Sequence, residues 1–72
     1  MSTLQDKALW TFMARYPNSK STKMWQHSAS IGIHDYGSFG NALKNGNIDA
    51  AISLADSENR KKILELISGG YI

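Results

Sequence analysis

Tyr36-Gly37-Ser38-Phe39-Gly40-Asn41-Ala42-Leu43-Lys44-Asn45-Gly46-Asn47 lies at the middle of a 72-residue chain and holds three of its six glycines. Its reading decides the fold. Tyr36, Phe39 and Leu43 recur at i, i+3 and i+7, the spacing of one helical face. Gly37 and Gly40 carry no side chain, so a neighbouring backbone or ring can come close, at a cost in helix propensity. Asp35 or Ser38 is placed to cap the start by accepting from free backbone N–H groups. Asn45-Gly46 reads as a stop, because both residues tolerate the left-handed conformation that helix ends use. Asn47 then caps the next helix. The stretch predicts a short, glycine-notched helix between longer elements, serving either tight packing or recognition.

Working outward from it, the chain predicts four more helical segments. The first runs from Thr3 to Tyr16. Ser2 with Gln5 fits a capping box, and Leu4, Ala8, Leu9, Phe12, Met13 and Tyr16 form one apolar stripe. Trp10 falls off that stripe and is expected at the edge of the core. Pro17 ends the helix by forcing the preceding residue out of helical geometry. The second segment runs from Thr22 to Ser30, capped by Ser19 or Ser21. Met24, Trp25, Ser28, Ala29 and Ile31 are expected on one face, and Lys23, Gln26, His27 and Ser30 on the other. After the central helix, Asn47 caps a segment from Ile48 to Ala55, with Asp49 complementing the dipole in its first turn. Its expected buried stripe is Ile48, Ala51, Ile52 and Ala55, with Leu54 at the flank. The last helix, Glu58–Ser68, is capped by Ser57 or Asp56. Ile63, Leu64 and Ile67 are expected on its buried face, with Leu66 beside them. Gly69-Gly70 stops it, and Tyr71-Ile72 is expected to fold back, since exposed large apolar ends are unfavourable. The fold class is all-α: a single compact domain, 1–72, of four to five short helices.

Composition narrows the function. The chain has no cysteine, so a disulfide framework and thiolate metal sites are excluded. No apolar run approaches the length of a membrane span, and no basic stretch leads into an apolar one at the N-terminus. A cytoplasmic location and no membrane association are the simplest expectations. The net charge is only +2, but it is unevenly spread. Between Asp6 and Asp35 there is no acid, while Lys7, Arg15, Lys20, Lys23, His27 and His34 fall there. Such a half attracts nucleic acid or an acidic protein, although a dedicated DNA binder is usually more basic.

No catalytic constellation emerges. His27 and His34 are seven residues apart, not at the i, i+4 spacing that places two metal ligands on one helical face. There is no Gly-x-Ser-x-Gly elbow, and Gly37-Ser38-Phe39-Gly40 lacks the Gly-Lys-Ser/Thr ending of a phosphate loop. Six scattered acids present no pair for glycoside cleavage. The expectation is a protein that is not an enzyme and uses no cofactor and no metal. Arg60-Lys61-Lys62 is the densest basic run. Glu58–Lys62 and Lys61–Glu65 are i, i+4 pairs of opposite charge, so the run reads as a solvated, self-paired face with Arg60 left free for an external contact.

Two resemblances attach to particular residues. Ser28–Gly46, with Ile31-Gly32-Ile33 at the turn and a second helix ending Ala42-Leu43-x-x-Gly46, resembles a helix-turn-helix of the small phage-repressor type. That resemblance implies a second helix reading the major groove, here with Ser38, Asn41 and Lys44 on it. The spacing from Gly32 to Phe39 is one residue longer than in that family. Phe39-x-Asn41-Ala42-Leu43, followed by Asp49-Ala50-Ala51-Ile52-x-Leu54-Ala55-x-Ser57 and Asn59-Arg60, is similar to the C-terminal half of phage-type lysozymes. Those residues belong to that family's helical scaffold, and its catalytic glutamate has no counterpart here. The likeness therefore implies fold, with at most glycan binding and no cleavage.

The function expected from the sequence is a small non-enzymatic regulatory or accessory protein, a modulator or inhibitor that binds another protein. In size and chemistry it resembles small phage or bacterial proteins of that class. The expected contact surface combines Trp10, Arg15, Lys20, Lys23, His27 and Tyr36, because Trp, Tyr and Arg dominate binding hot spots. The alternative is nucleic-acid binding through residues 22–46, with contacts from Lys20, Lys23, Ser38, Asn41, Lys44 and Arg60. A small core also makes homo-oligomerisation a natural expectation.

Overall fold

Five helices are present among the described residues of a computed structural model: α1 Thr3–Arg15, α2 Lys20–Ser30, α3 Gly37–Lys44, α4 Ile48–Leu54 and α5 Ser57–Ser68. The structure describes the backbone from Thr3 and the side chains from Asp6 to Ile72. The capping box at Ser2 and Gln5 and the inward placement of Leu4 lie outside the described residues. No strand occurs among the described residues, so the chain is an all-α fold. The radius of gyration is 11.2 Å, matching the roughly 11 Å of a compact chain of this length.

Local chemistry accounts for the helix ends. Tyr16 N still donates to the Phe12 carbonyl at 2.9 Å, but the helix stops at Arg15, just ahead of Pro17. Ser19, in extended geometry, caps α2 by accepting from Thr22 N at 3.1 Å, so of the two serines it is the earlier one that serves. At α3 Tyr36 occupies the N-cap position with no side-chain cap bond of its own, and of the two expected acceptors it is Asp35 that serves a free N–H at the start. Asp35 Oδ1 accepts from Gly37 N at 3.0 Å. Gly37 sits at φ +69°, where a side chain would be strained. Asn47 caps α4 through Ala50 N, and Asp56, not Ser57, caps α5 through Asn59 N at 2.8 Å.

The core is built around Phe12, which is completely buried. The rings of Tyr16 and Trp25 each lie with centroids 5.2 Å from it, and Phe39 lies at 5.9 Å, edge-on. Tilted and edge-to-face contacts at these distances are favoured by aromatic quadrupoles. Helix α3 packs on α1 and α4, and α5 packs on the same two helices. Ala8, Leu9, Leu43, Ala51, Ile63 and Leu66 complete the cluster. Gly40 supplies the notch that its sequence predicts. A Cβ there would meet Tyr36 Cβ at 2.6 Å and Trp25 Nε1 at 2.9 Å, so the indole of α2 uses the space.

Three expectations are corrected by the packing. Trp10 is not at the edge of the core; it is 59% exposed. On α5 the buried pair is Ile63 and Leu66, while Leu64 and Ile67 are exposed. Tyr16 sets that roll: its hydroxyl donates to Glu65 Oε2 at 2.8 Å, with the Lys62 carbonyl 3.2 Å away. Partial burial first, then the hydrogen bond to Glu65 and its negative charge, raise the Tyr16 phenol above its ordinary 10.0, against an opposing pull from Arg15. Arg60 is not free. Its Nε donates to the Ile52 carbonyl and a terminal nitrogen to the Ala55 carbonyl, both at 3.2 Å. The last carbonyls of a helix lack intrahelical donors, and a nearby guanidinium fills that need. Of the two charge pairs, Glu58–Lys62 forms at 2.9 Å, whereas Glu65 is engaged by Tyr16. The C-terminal residues do fold back: Tyr71 N donates to the Leu66 carbonyl at 2.9 Å, and Ile72 packs against the core.

Candidate functional site

Helix α2 places the site, because its two faces meet different surroundings. Successive helical residues are rotated by about 100°, so Met24 cannot share the narrow inner stripe centred on Trp25. That stripe is Thr22 and Trp25, both buried, with Ser21, Ser28 and Ala29 half-buried beside them. The Trp25 ring joins the helix to α1 and α3, with its centroid 5.2 Å from that of Phe12 and 5.8 Å from that of Phe39. The outer face carries Lys20, Lys23, Met24, His27 and, one turn beyond, Ile31, all exposed. The expectation that Met24 and Ile31 point inward with Trp25 is therefore corrected: they are 63% and 54% exposed, against 3% for Trp25.

The connection from α2 to α3 forms the opposite wall. Residues 31–36, six in all between Ser30 and Gly37, double back over the end of α2. Gly32 at φ +78° and His34 at φ +55° make the reversal. Ser28 holds it: its carbonyl accepts from Ile33 N at 3.0 Å and His34 N at 3.2 Å, and its hydroxyl accepts from Asp35 N at 2.7 Å. Trp25 Nε1 donates to the Tyr36 carbonyl at 3.0 Å, tying the far end of the connection to the core. Tyr36 OH and His34 Nδ1 share a hydrogen bond of 2.9 Å. The consequence is that Ile33 faces outward and is 64% exposed. Met24, Trp25, His27, Ile31, Ile33 and Tyr36, with Ser28, Asp35 and Gly37, line a groove of about 420 Å³. That volume falls within the range of roughly 300–1,000 Å³ typical of ligand clefts. A somewhat larger depression of about 520 Å³ runs along α5 beside Lys61, Leu64, Glu65 and Ser68. Among the described residues it is contributed by one helix and its end.

The structure gathers only part of the expected contact set. His27 and Tyr36 line the groove, and Lys23 lies one turn before His27 on the same helical face. Lys20 instead borders a small cavity of about 150 Å³ with Asp56, Glu58 and Asn59, where α2 meets the start of α5. Arg15 is drawn elsewhere, its guanidinium 4.2 Å from the Tyr71 ring centroid. Trp10, on α1, does not line the groove. Of the alternative nucleic-acid set, Ser38, Asn41 and Lys44 follow one another along the exposed side of α3. Arg60 is committed to the α4 carbonyls. The six-residue connection exceeds the three to four residues of a helix-turn-helix. Met24, Ile31 and Ile33 were missed as surface residues. The signal available was angular for Met24, which lies a full residue step from Trp25, and conformational for Ile33, which follows the glycine that ends the helical pattern.

The electrostatics of the groove are lopsided. Helix α2 contains no acid. Among the described residues Asp35 is the one acid lining the groove, and its Oδ1 accepts from Gly37 N. Asp35 is therefore not aimed at the neighbouring His34 as a catalytic pair would require. Among the described residues no three His, Asp or Glu side chains gather as a metal-binding group. No helix among them is long and apolar enough to cross a membrane. No protein-family model matches the chain, and no curated protein or solved structure matches it either.

Proposed function

We propose that this chain is a small non-enzymatic regulatory or accessory protein that binds another protein, and that the α2–connection groove is where it does so. One observation carries the reading: Met24, Ile31 and Ile33, each more than half exposed, surround a single groove. A monomeric soluble domain gains nothing from gathering large apolar side chains on its surface, and such clusters mark interaction sites. Methionine adapts its shape to an incoming side chain. The walls are held by the Ser28 and Trp25 hydrogen bonds, so little ordering has to be supplied on binding.

The test is selection of a random displayed-peptide library on the folded chain. Peptides that bind the wild type and are lost on Ile33→Asp support the reading. Failure to recover any such peptide, together with salt-sensitive binding of a mixed DNA and RNA pool that disappears in a Lys20→Ala, Lys23→Ala variant, replaces it with the nucleic-acid alternative, since phosphate contacts weaken steeply with salt.

A further inference from the structure

The connection that walls the groove has little backbone left to offer an occupant. Ile31 N donates to the His27 carbonyl, Gly32 N to the Ala29 carbonyl, Ile33 N and His34 N to the Ser28 carbonyl, and Asp35 N to Ser28 Oγ. An added strand would need free donors along that wall, so an occupant is recognised by its side chains. The lining says which. Met24, Ile31, Ile33 and the edge of Trp25 are apolar, and Met24 and Ile31 lie seven residues apart on α2, so this surface follows roughly 10 Å of helix. Among the described residues the lining carries one acid, Asp35, and no Lys or Arg. Asp35 is exposed, and bonds to Gly37 N at 3.0 Å and to Ser28 Oγ at 2.7 Å hold it in place. Its counterparts on α5 are engaged within the chain: Asp56 by the cap, Glu58 by Lys62 and Glu65 by Tyr16. Among the described residues no Lys or Arg pairs with Asp35, and no donor reaches its Oδ2.

Resting on the protein-binding reading, we infer that the groove takes an apolar segment of a partner protein that carries a Lys or Arg beside its anchor: a large apolar side chain seated against Met24 and Ile33, with the neighbouring cation on Asp35. Charge complementarity across an interface selects partners more than it adds raw affinity. The apolar anchor supplies the holding contact and Asp35 supplies the choice. His27 is the one basic side chain of the lining, and Lys23, a turn before it, lies outside. At that remove Lys23 acts through solvent and is screened, whereas a cation on Asp35 makes a charge-assisted hydrogen bond. Nucleic acid fits this arrangement poorly, because its phosphates would meet a carboxylate and an apolar surface.

The experiment uses the peptides recovered by library selection on the intact chain. The expected consensus has an aromatic or large aliphatic residue with a Lys or Arg beside it. Exchanging that cation for Gln should weaken binding about threefold at low salt, the scale of an exposed ion pair. Asp35→Asn removes the charge and keeps an oxygen for Gly37 N, so the turn survives. On that variant the cationic peptide and its Gln version should bind equally, which closes a double-mutant cycle on the pair. Raising salt should narrow the gap between the two peptides on the wild type. Peptides that are lost on Met24→Ser but carry no Lys or Arg, or whose Gln exchange costs as much on Asp35→Asn as on the wild type, overturn this inference and leave the protein-binding reading standing. Recovery of no peptide, or only of peptides indifferent to Met24→Ser, overturns both. A rise in sedimentation coefficient with concentration, abolished by Met24→Ser, assigns the groove to a second copy of this chain and likewise overturns the basic segment. Circular dichroism accompanies each variant, and Ile33→Ser replaces Met24→Ser if the latter loses helicity.

Discussion

The inner and outer faces of α2 share one backbone, one cap and one helical geometry, yet they meet opposite fates. The inner face buries Trp25 beside Phe12 and against the Gly40 notch. The outer face leaves Met24 and Ile31 in solvent beside Lys23 and His27. Nothing local to the helix distinguishes Met24 from Trp25 as an apolar residue. What separates them is which other elements arrive: α1 and α3 bring Phe12, Phe39 and a side-chain gap to one face, while only the short connection through Ile33 approaches the other. The inner face is a matter of stability and the outer face, in our proposal, a matter of partner choice.

The comparison breaks most readily at Trp25. Trp25→Ala should cost about 3–5 kcal/mol, from the cavity left beside Phe12 together with loss of the bond to the Tyr36 carbonyl. The core of so small a domain rarely supplies more than about 3–5 kcal/mol in all, so urea denaturation should find this variant largely unfolded. A cooperative transition near the wild-type midpoint would mean that α2 is not held by its indole. A smaller effect, about 1–3 kcal/mol destabilising, is expected of Gly40→Ala through overpacking against Tyr36 and Trp25. The sign is informative, because alanine in an open helix position would instead stabilise by up to about 1 kcal/mol. Ser19→Ala should cost about 1 kcal/mol by removing the cap of α2. Ser19 Oγ also donates to the buried Thr22 hydroxyl at 2.9 Å, so the loss should exceed that of Ser21→Ala in the same assay. Smallest is the outer face: Met24→Ser should change stability by no more than about 0.5 kcal/mol and yet remove peptide capture. A stability loss as large as that of Gly40→Ala would show that Met24 serves the fold and not a partner.

Much of the candidate site lay beyond what sequence patterns express. Lys23 and His27 were legible as basic residues in the acid-free stretch between Asp6 and Asp35, and Tyr36 as an aromatic just beyond it. Trp10 and Arg15 belonged to the same stretch but occupy other surfaces, since closeness along the chain says nothing about which side of a helix bundle a residue reaches. Arg60 has Asp56 four residues before it, but that carboxylate caps α5, and the acceptors of the guanidinium are carbonyls at the end of a different helix. Ile33 looked like connecting chain, and only the reversal fastened by Ser28 turns it toward Met24.

What the sequence by itself determined is the local architecture. Proline after Tyr16, the Asn45-Gly46 stop, the Asn47 cap and the paired glycines before Tyr71 mark five helices, because helix ends answer to hydrogen-bond needs within a few residues. The stripe of α1 was legible for the same reason that any wide apolar face is: several large residues agree on one direction. The roll of α2 and α5 was decided only in the tertiary structure. Each carries large apolar residues on more than one side, so its own periodicity leaves the buried face open. The choice falls to long-range contacts, the Gly40 notch receiving Trp25 and the Tyr16 hydroxyl reaching Glu65. Those contacts join residues 15 and 49 positions apart in the chain, and no helical repeat spans such a distance.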